Sequence, residues 1–112
     1  MHLITSLLSA FLITLSSQAM AQQGVSDKEV LIGQFAAFSG PAAQLGQRMQ
    51  AGILAHFEAV NAQGGVNGRK IKLVTRDDGY EPEQAAAAAK SLITEGKVFA
   101  LIGSVGTPTT LA

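Results

Sequence analysis

The sequence predicts an α/β fold in which a β-α-β-α-β chain forms a three-layer structure around a parallel sheet. Three short apolar runs are each followed by turn residues, at Ser39-Gly40-Pro41, Asp77-Asp78-Gly79-Tyr80 and residues 103–108. Helical patterns follow the first two turns. Because parallel crossovers are right-handed, the first strand is expected in the centre, in the strand order 2-1-3. The three loops should then meet at one edge of the sheet, where open α/β sheets bind ligands.

The amino terminus has the pattern of a secretory signal peptide. Residues 3–15 form an uncharged apolar run that is too short to cross a bilayer of ~30 Å as a helix. Ala19-Met20-Ala21 follows it as an A-x-A cleavage pattern. We therefore predict that residues 1–21 are a signal peptide cleaved before Gln22, although no Lys or Arg precedes the apolar run. The alternative is an uncleaved anchor.

Composition excludes several function classes. The formal net charge is +0, which argues against electrostatic binding to nucleic acid or to anionic membranes. The chain has no Cys, so it has no disulfides, no thiolate metal ligands and no Cys nucleophile. Export without disulfides is typical of a bacterial periplasm. The G-x-G-x-x-G, G-K-[ST] and G-x-S-x-G motifs are also missing, so we predict no enzyme activity, no cofactor and no metal.

The first strand and helix are predicted by an apolar run and a helical stripe. Residues 30–38 are mostly apolar, as in a buried central strand. Pro41 is typical of a first helical position, where its missing N–H costs nothing. Gly64-Gly65 should end this helix in a conformation with positive φ. The apolar residues of the stripe recur at intervals of three or four and are Leu45, Met49, Ile53, Phe57 and Val60.

The remaining elements follow from shorter patterns. Residues 66–69 predict a tight turn, and residues 71–77 alternate in polarity, as in a strand at or near the sheet edge. Glu81-Pro82-Glu83 should open a second helix, which Gly96 closes. Residues 98–102 are an unbroken apolar run and predict a third strand buried on both faces. The third helix begins close to the end of a chain that is short for a parallel α/β domain, so we expect part of a longer protein.

The loop after the third strand is the strongest candidate for ligand binding. Thr107 suits an N-cap and Pro108 a first helical position, and the N–H groups of a helix start bind carboxylates or phosphates. Gly106 would let a ligand approach the backbone closely. The alternative is that Thr107 only caps its own helix. Tyr80 either lines the crevice or packs on its loop.

The acidic pair and the helical histidine are predicted to have no catalytic role. Asp77 and Asp78 are neighbours on an extended strand, so their side chains point to opposite faces and cannot easily share an ion. One of them is expected to cap the turn that follows. His56 has no second ligand at metal-binding spacing, so we interpret it as a helix-surface residue.

The sequence contains three further motifs, which are Phe38-Ser39-Gly40-Pro41 with Gly46, the block N-A-Q-G-G-V-N-G-R-K-I at residues 61–71, and Asp77-Asp78 followed by Pro82. These motifs resemble those of the leucine/isoleucine/valine-binding proteins, which are type I periplasmic substrate-binding proteins of ABC importers. The resemblance covers residues 30–110. It implies two α/β lobes joined by a hinge, with residues 22–112 forming part of the amino-terminal lobe.

The resemblance also implies a role for individual residues. Thr107 matches the Ser or Thr that holds the ligand carboxylate through its N–H and hydroxyl. Leu45 stands where an aromatic residue often packs on the ligand. Some members have a disulfide at the positions of Tyr80 and Gly106, which this chain lacks. Together with the loop analysis, the predicted ligand-binding residues are Ser39, Leu45, Tyr80, Val105, Gly106 and Thr107.

The predicted function is capture of a small amino acid, or a related carboxylate or amide, in the periplasm for an ABC permease in the inner membrane. One alternative is a sensor of the same fold that reports its ligand to a receptor or regulator. Another is an enzyme of flavodoxin-like or receiver-like architecture that uses Asp77 or Asp78. The signal peptide argues against the enzyme, because an exported chain lacks cytosolic phosphodonors and cofactors.

Overall fold

The computed structural model describes residues 21–112 and confirms the predicted α/β architecture. Three parallel strands form one sheet in the order β2-β1-β3. The predicted signal peptide lies outside the described residues, apart from Ala21. The elements in chain order are β1 (Glu29–Ala36), α1 (Ala43–Ala62), β2 (Lys70–Asp77), α2 (Pro82–Thr94), β3 (Ala100–Leu101) and α3 (Thr107–Thr110).

The central strand β1 carries the core because its alternate side chains serve opposite faces of the sheet. Phe35 packs in a buried cluster with residues of α2, and Leu31 lies against the same cluster. Ile32, on the other face, lines a groove together with Phe57 of α1. The pairing of β1 with β2 is long, and β2 has no second neighbour within residues 21–112. The prediction that the second strand lies at the edge is therefore confirmed for these residues.

Helix α1 begins at Ala43, so the prediction of Pro41 as its first residue is wrong. Gly40 has a φ of 74°, and the Ala43 N–H donates to the Gly40 carbonyl over 3.2 Å. Pro41 therefore occupies a turn that precedes the helix. Gly46 then brings the first turn of α1 onto the end of β1, because a Cβ at this position would collide with the carbonyl oxygen of Ala37. The loop after β1 is consequently short and tightly held.

The end of α1 and the start of β2 are joined by one side chain. Asn61 accepts the Ile71 N–H over 2.8 Å and donates to the Ile71 carbonyl over 2.9 Å. The predicted glycine stop is confirmed, since Gly64 and Gly65 have φ values of 101° and 78°. The predicted tight turn is also confirmed. Asn67 and Gly68 both have positive φ, as a type I′ turn requires.

The third strand is shorter and more exposed than predicted. β3 contains only Ala100 and Leu101, and the expectation of a strand at residues 98–102 buried on both faces is wrong. Val98 is buried, but Phe99 is 49% and Ile102 is 46% exposed. The physical reason is that, within residues 21–112, β3 pairs only with β1, so no further strand lies beside it with side chains that could cover Phe99 and Ile102. An apolar groove of about 490 Å³ remains open beside it.

Candidate ligand-binding site

The three loops that follow the strands are in contact with one another, as predicted. The Ser39 hydroxyl donates to Asp77 Oδ2 over 2.5 Å and so joins the loops after β1 and β2. The ring of Tyr80 lies beside Gly106 and brings the loops after β2 and β3 together. Gln34 of β1 donates from Nε2 to the Gly103 carbonyl over 3.0 Å. These contacts form one connected edge at the carboxyl ends of the strands.

Asp77 connects the first two loops through several hydrogen bonds. Its Oδ1 accepts the Phe38 N–H over 2.8 Å and the Gly79 N–H over 2.9 Å. The hydroxyl of Ser39 and then the Phe38 N–H stabilise the charged carboxylate, which lowers the pKa of Asp77 below its ordinary value of 3.8. From the sequence, one of Asp77 and Asp78 was expected to cap the turn, and either was a candidate carboxylate in the enzyme alternative. The hydrogen bond from Ser39 was not expected, and it engages the hydroxyl proton of Ser39.

Asp78 has a different environment from its neighbour. Its side chain is fully buried, and Oδ1 accepts the Tyr80 N–H over 2.8 Å. Both acidic residues thus stabilise the turn, since each accepts an N–H from two residues further on. Within residues 21–112, no group of three His, Asp or Glu side chains could hold a metal ion. His56 is exposed on α1, which confirms its interpretation as a surface residue.

Tyr80 and Gly106 both have positive φ values, which are unusual for residues that carry a side chain. Tyr80 has a φ of 66°, and Gly106 has a φ of 114°. A Cβ at Gly106 would lie 2.5 Å from Tyr80 Cε2, closer than such atoms approach. The half-buried ring of Tyr80 therefore occupies the space that a side chain at position 106 would take. This contact is with the loop after β3 and not with the loop of Tyr80 itself, so it corresponds to neither of the two alternatives considered for Tyr80.

Thr107 is not an N-cap, and the capping alternative is wrong. Gly106 holds that position, Thr107 is the first residue of α3, and no side-chain hydrogen bond caps the helix. Pro108 is accordingly the second helical residue and not the first. The hydroxyl of Thr109 has one proton, which it shares between the carbonyls of Val105, at 3.0 Å, and Gly106, at 3.1 Å. This hydrogen bonding holds the end of the loop against α3. The Thr107 hydroxyl does not cap α3.

The side chain of Thr107 is exposed at the start of a helix of four residues. So short a helix has a small dipole, and its electrostatic attraction for anions is weaker than the sequence argument assumed. What the site offers is a hydroxyl and N–H groups at the first turn. Beside them lies an open pocket of about 340 Å³ lined by Gly106, Thr107, Thr110 and Leu111.

The other predicted residues occupy two separate positions. Val105 is half-buried and continues directly into Gly106. Leu45 is 50% exposed in the first turn of α1. Within residues 21–112, no hydrogen bond connects Ser39 or Leu45 to residues 105–107. Among the predicted residues, Tyr80 contacts Gly106 of the loop after β3, and Ser39 is bonded to Asp77 at the end of β2.

Gln34 is a residue of this edge that the sequence argument missed. It is fully buried in β1, and its Nε2 holds the Gly103 carbonyl at the start of the loop after β3. Its Oε1 has no hydrogen-bond partner within the described part of the chain. The sequence feature that could have identified Gln34 is that it is the single amide side chain in the apolar run of residues 30–38. A polar residue in such a run is expected to bond to the backbone.

The comparisons with known proteins agree with this architecture. A family model described as periplasmic binding protein matches residues 29–112. The leucine-, isoleucine-, valine-, threonine-, and alanine-binding protein of Pseudomonas aeruginosa is 32% identical over 90% of this chain and 27% of its own length. The solved structure of a possible leucine/isoleucine/valine-binding protein from Rhodopirellula baltica is 39% identical. It matches 83% of this chain and 24% of that one, with a TM-score of 0.71.

A third match has a ligand of another kind. The solute binding protein of an ABC transporter from R. palustris, solved in complex with benzoate, is 28% identical with a TM-score of 0.67. It covers 75% of this chain, which spans 23% of that protein. The chain thus spans about a quarter of the length of the proteins it matches. The resemblance seen in the sequence motifs is confirmed, and the chain belongs to the periplasmic binding protein family.

Proposed function

We propose that the chain is part of the solute-binding component of an ABC importer, which captures a small carboxylate in the periplasm and delivers it to a permease in the inner membrane. The observation that carries this proposal is the exposed Thr107 side chain, which stands at the edge predicted to bind the ligand and does not cap its own helix. Family membership supports the same conclusion, because the matched proteins are binding proteins.

Thr107 has the chemistry to hold a carboxylate. Its hydroxyl can donate one hydrogen bond, and its own N–H lies in the first helical turn, where N–H groups have no partner within the helix; the next residue, Pro108, has no N–H. A hydrogen bond to a charged acceptor contributes about 1.5–3 kcal/mol, more than one between neutral groups. Within residues 21–112, Asp78 is fully buried in its own turn and Asp77 is engaged by Ser39. Both carboxylates thus make hydrogen bonds to their own or the neighbouring loop, and neither is required to point at the ligand carboxylate.

The ligand class follows from what the ligands of the matched proteins have in common. The Pseudomonas aeruginosa protein is described as binding amino acids, and the R. palustris protein holds benzoate. These molecules differ in their amines and side chains but share a carboxylate. We therefore assign the carboxylate to Thr107 and the apolar part of the ligand to Leu45 and Val105. Leu45 is a half-exposed apolar side chain in the first turn of α1.

Calorimetric titration of the full-length gene product with matched ligand pairs tests this assignment. Leucine is compared with leucinol, and benzoate with benzyl alcohol, because each pair differs only in the carboxylate. We expect at least one acid to bind ten or more times as tightly as its alcohol. Equal affinities within a pair that binds would contradict carboxylate recognition. A panel of amino acids and aromatic acids with no saturable binding would contradict the solute-binding proposal itself.

A further inference from the structure

The loops after β2 and β3 are held together by an aromatic ring that lies against a glycine. A Cβ built on Gly106 would be 2.5 Å from Cε2 and 3.2 Å from Cδ2 of Tyr80. Such distances mean that the edge of the ring touches the backbone of Gly106. The ring is half-buried, so it is packed in this position and does not extend freely into solvent.

The turn before α2 fixes the direction of this ring. The Tyr80 N–H donates to Oδ1 of the fully buried Asp78, and the Glu81 N–H donates to the Asp78 carbonyl over 2.9 Å. The φ of Tyr80 is 66°, a conformation that is uncommon for non-glycine residues and is least favourable for bulky ones. The buried Asp78 carboxylate holds the backbone of Tyr80 in this conformation. The backbone in turn sets the direction of the Cα–Cβ bond from which the ring extends.

Gly106 is confined from a second side. The Cβ position at Gly106 lies 2.7 Å from the hydroxyl oxygen of Thr109, which itself donates to the Gly106 carbonyl. The backbone of Gly106, with φ 114° and ψ 126°, is therefore enclosed between Tyr80 and Thr109. Because Gly106 immediately precedes Thr107, its conformation sets the direction in which the Thr107 N–H and side chain point.

We propose that Tyr80 is a positioning residue, which holds Gly106 in its unusual conformation so that Thr107 presents its N–H and hydroxyl to the ligand. This inference rests on the proposed function and deepens it. It replaces direct ligand contact by Tyr80 with an indirect role. The functional group of Tyr80 is the ring and not the hydroxyl, for which no hydrogen bond occurs within residues 21–112. Phenylalanine should therefore substitute for it.

Amide hydrogen exchange of the ligand-free, full-length gene product tests the positioning role without any ligand. Tyr80→Ala should accelerate exchange at least tenfold at Thr110 and Leu111, whose N–H groups donate to the carbonyls of Gly106 and Thr107. Tyr80→Phe should stay within twofold of the wild type. Tyr80→Leu, which retains an apolar side chain without the ring, is a second variant if the alanine form does not fold. Unchanged exchange in residues 85–95 is the internal control for α2.

A double-mutant cycle with Gly106→Ala tests the contact itself. In the wild-type background the added methyl group meets the Tyr80 ring, so exchange at the amides of Thr110 and Leu111 should rise strongly. In the Tyr80→Ala background the methyl group has more room, and the further rise should be at least threefold smaller. Equal effects in both backgrounds, with exchange unchanged by Tyr80→Ala alone, would overturn the proposal. Because no ligand is used, this failure is distinct from a failure of the carboxylate titrations.

Discussion

Replacement of Thr107 by alanine should reduce ligand affinity and leave folding nearly unchanged. The side chain is exposed and makes no cap hydrogen bond, so its loss is expected to change the free energy of unfolding by less than about 0.5 kcal/mol. Loss of a hydrogen bond to a charged ligand costs about 1.5–3 kcal/mol, which corresponds to roughly a 10- to 150-fold weaker affinity. Affinity and stability should therefore separate clearly.

Calorimetric titration with leucine and with benzoate, together with thermal midpoints, measures both quantities. Thr107→Ser is the matched control, because it retains the hydroxyl and should bind within about threefold of the wild type. An affinity of Thr107→Ala within twofold of the wild type for a ligand that binds would refute the role of the hydroxyl. A markedly lower midpoint without loss of affinity would show that Thr107 contributes to folding instead.

Three further predictions concern the loop contacts, the leader and the open sheet. Because the native pKa of Asp77 is lowered, its contribution to stability is present above its ordinary value of 3.8 and is lost as the pH falls through the native pKa. Asp77→Asn should therefore lower the thermal midpoint by a few degrees at pH 6, and the midpoint of this variant should decrease less than that of the wild type as the pH is lowered. Parallel curves of midpoint against pH for the two proteins would contradict this. Amino-terminal sequencing of exported protein should begin at Gln22, and a mature chain that starts at Met1 would disprove cleavage. A polypeptide of residues 22–112 should associate through the unpaired edge of β3 and the exposed Phe99, and should elute as oligomers in size-exclusion chromatography. A single sharp peak at the monomer position would show that these residues fold without the rest of the protein.

The sequence predicted the strand order because local patterns and crossover handedness together determine it. Alternation at residues 71–77 indicated an edge strand, and the position of β2 agrees. The exposure of residues 99–102 could not be predicted, because an apolar run does not reveal which other segments cover it. The start of α1 was misjudged for a local reason. Pro41 is equally suited to a first helical position and to a turn, and the positive φ of Gly40 selects the turn.

The candidate site was predicted less completely than the fold, because its key contacts join distant parts of the chain. Ser39 and Asp77 form a hydrogen bond across 38 positions, and no spacing rule would pair them. Thr107 is exposed at the start of α3, its ligand contact stays a prediction, and the alternative that it caps the helix was wrong because Gly106 takes that position. The packing of Tyr80 on Gly106 likewise depends on how the second loop reaches the third.

The contact between Tyr80 and Gly106 also makes the site observable by spectroscopy. Tyr80 is the single tyrosine of the 112 residues, and the chain has no tryptophan. Excitation near 280 nm therefore reports on one ring only in this chain, and that ring touches the glycine next to Thr107. Its emission and near-ultraviolet circular dichroism should respond to changes at Gly106 without any introduced label. In a longer protein with further aromatic residues, subtracting the spectrum of Tyr80→Phe from that of the wild type would isolate the signal of this ring.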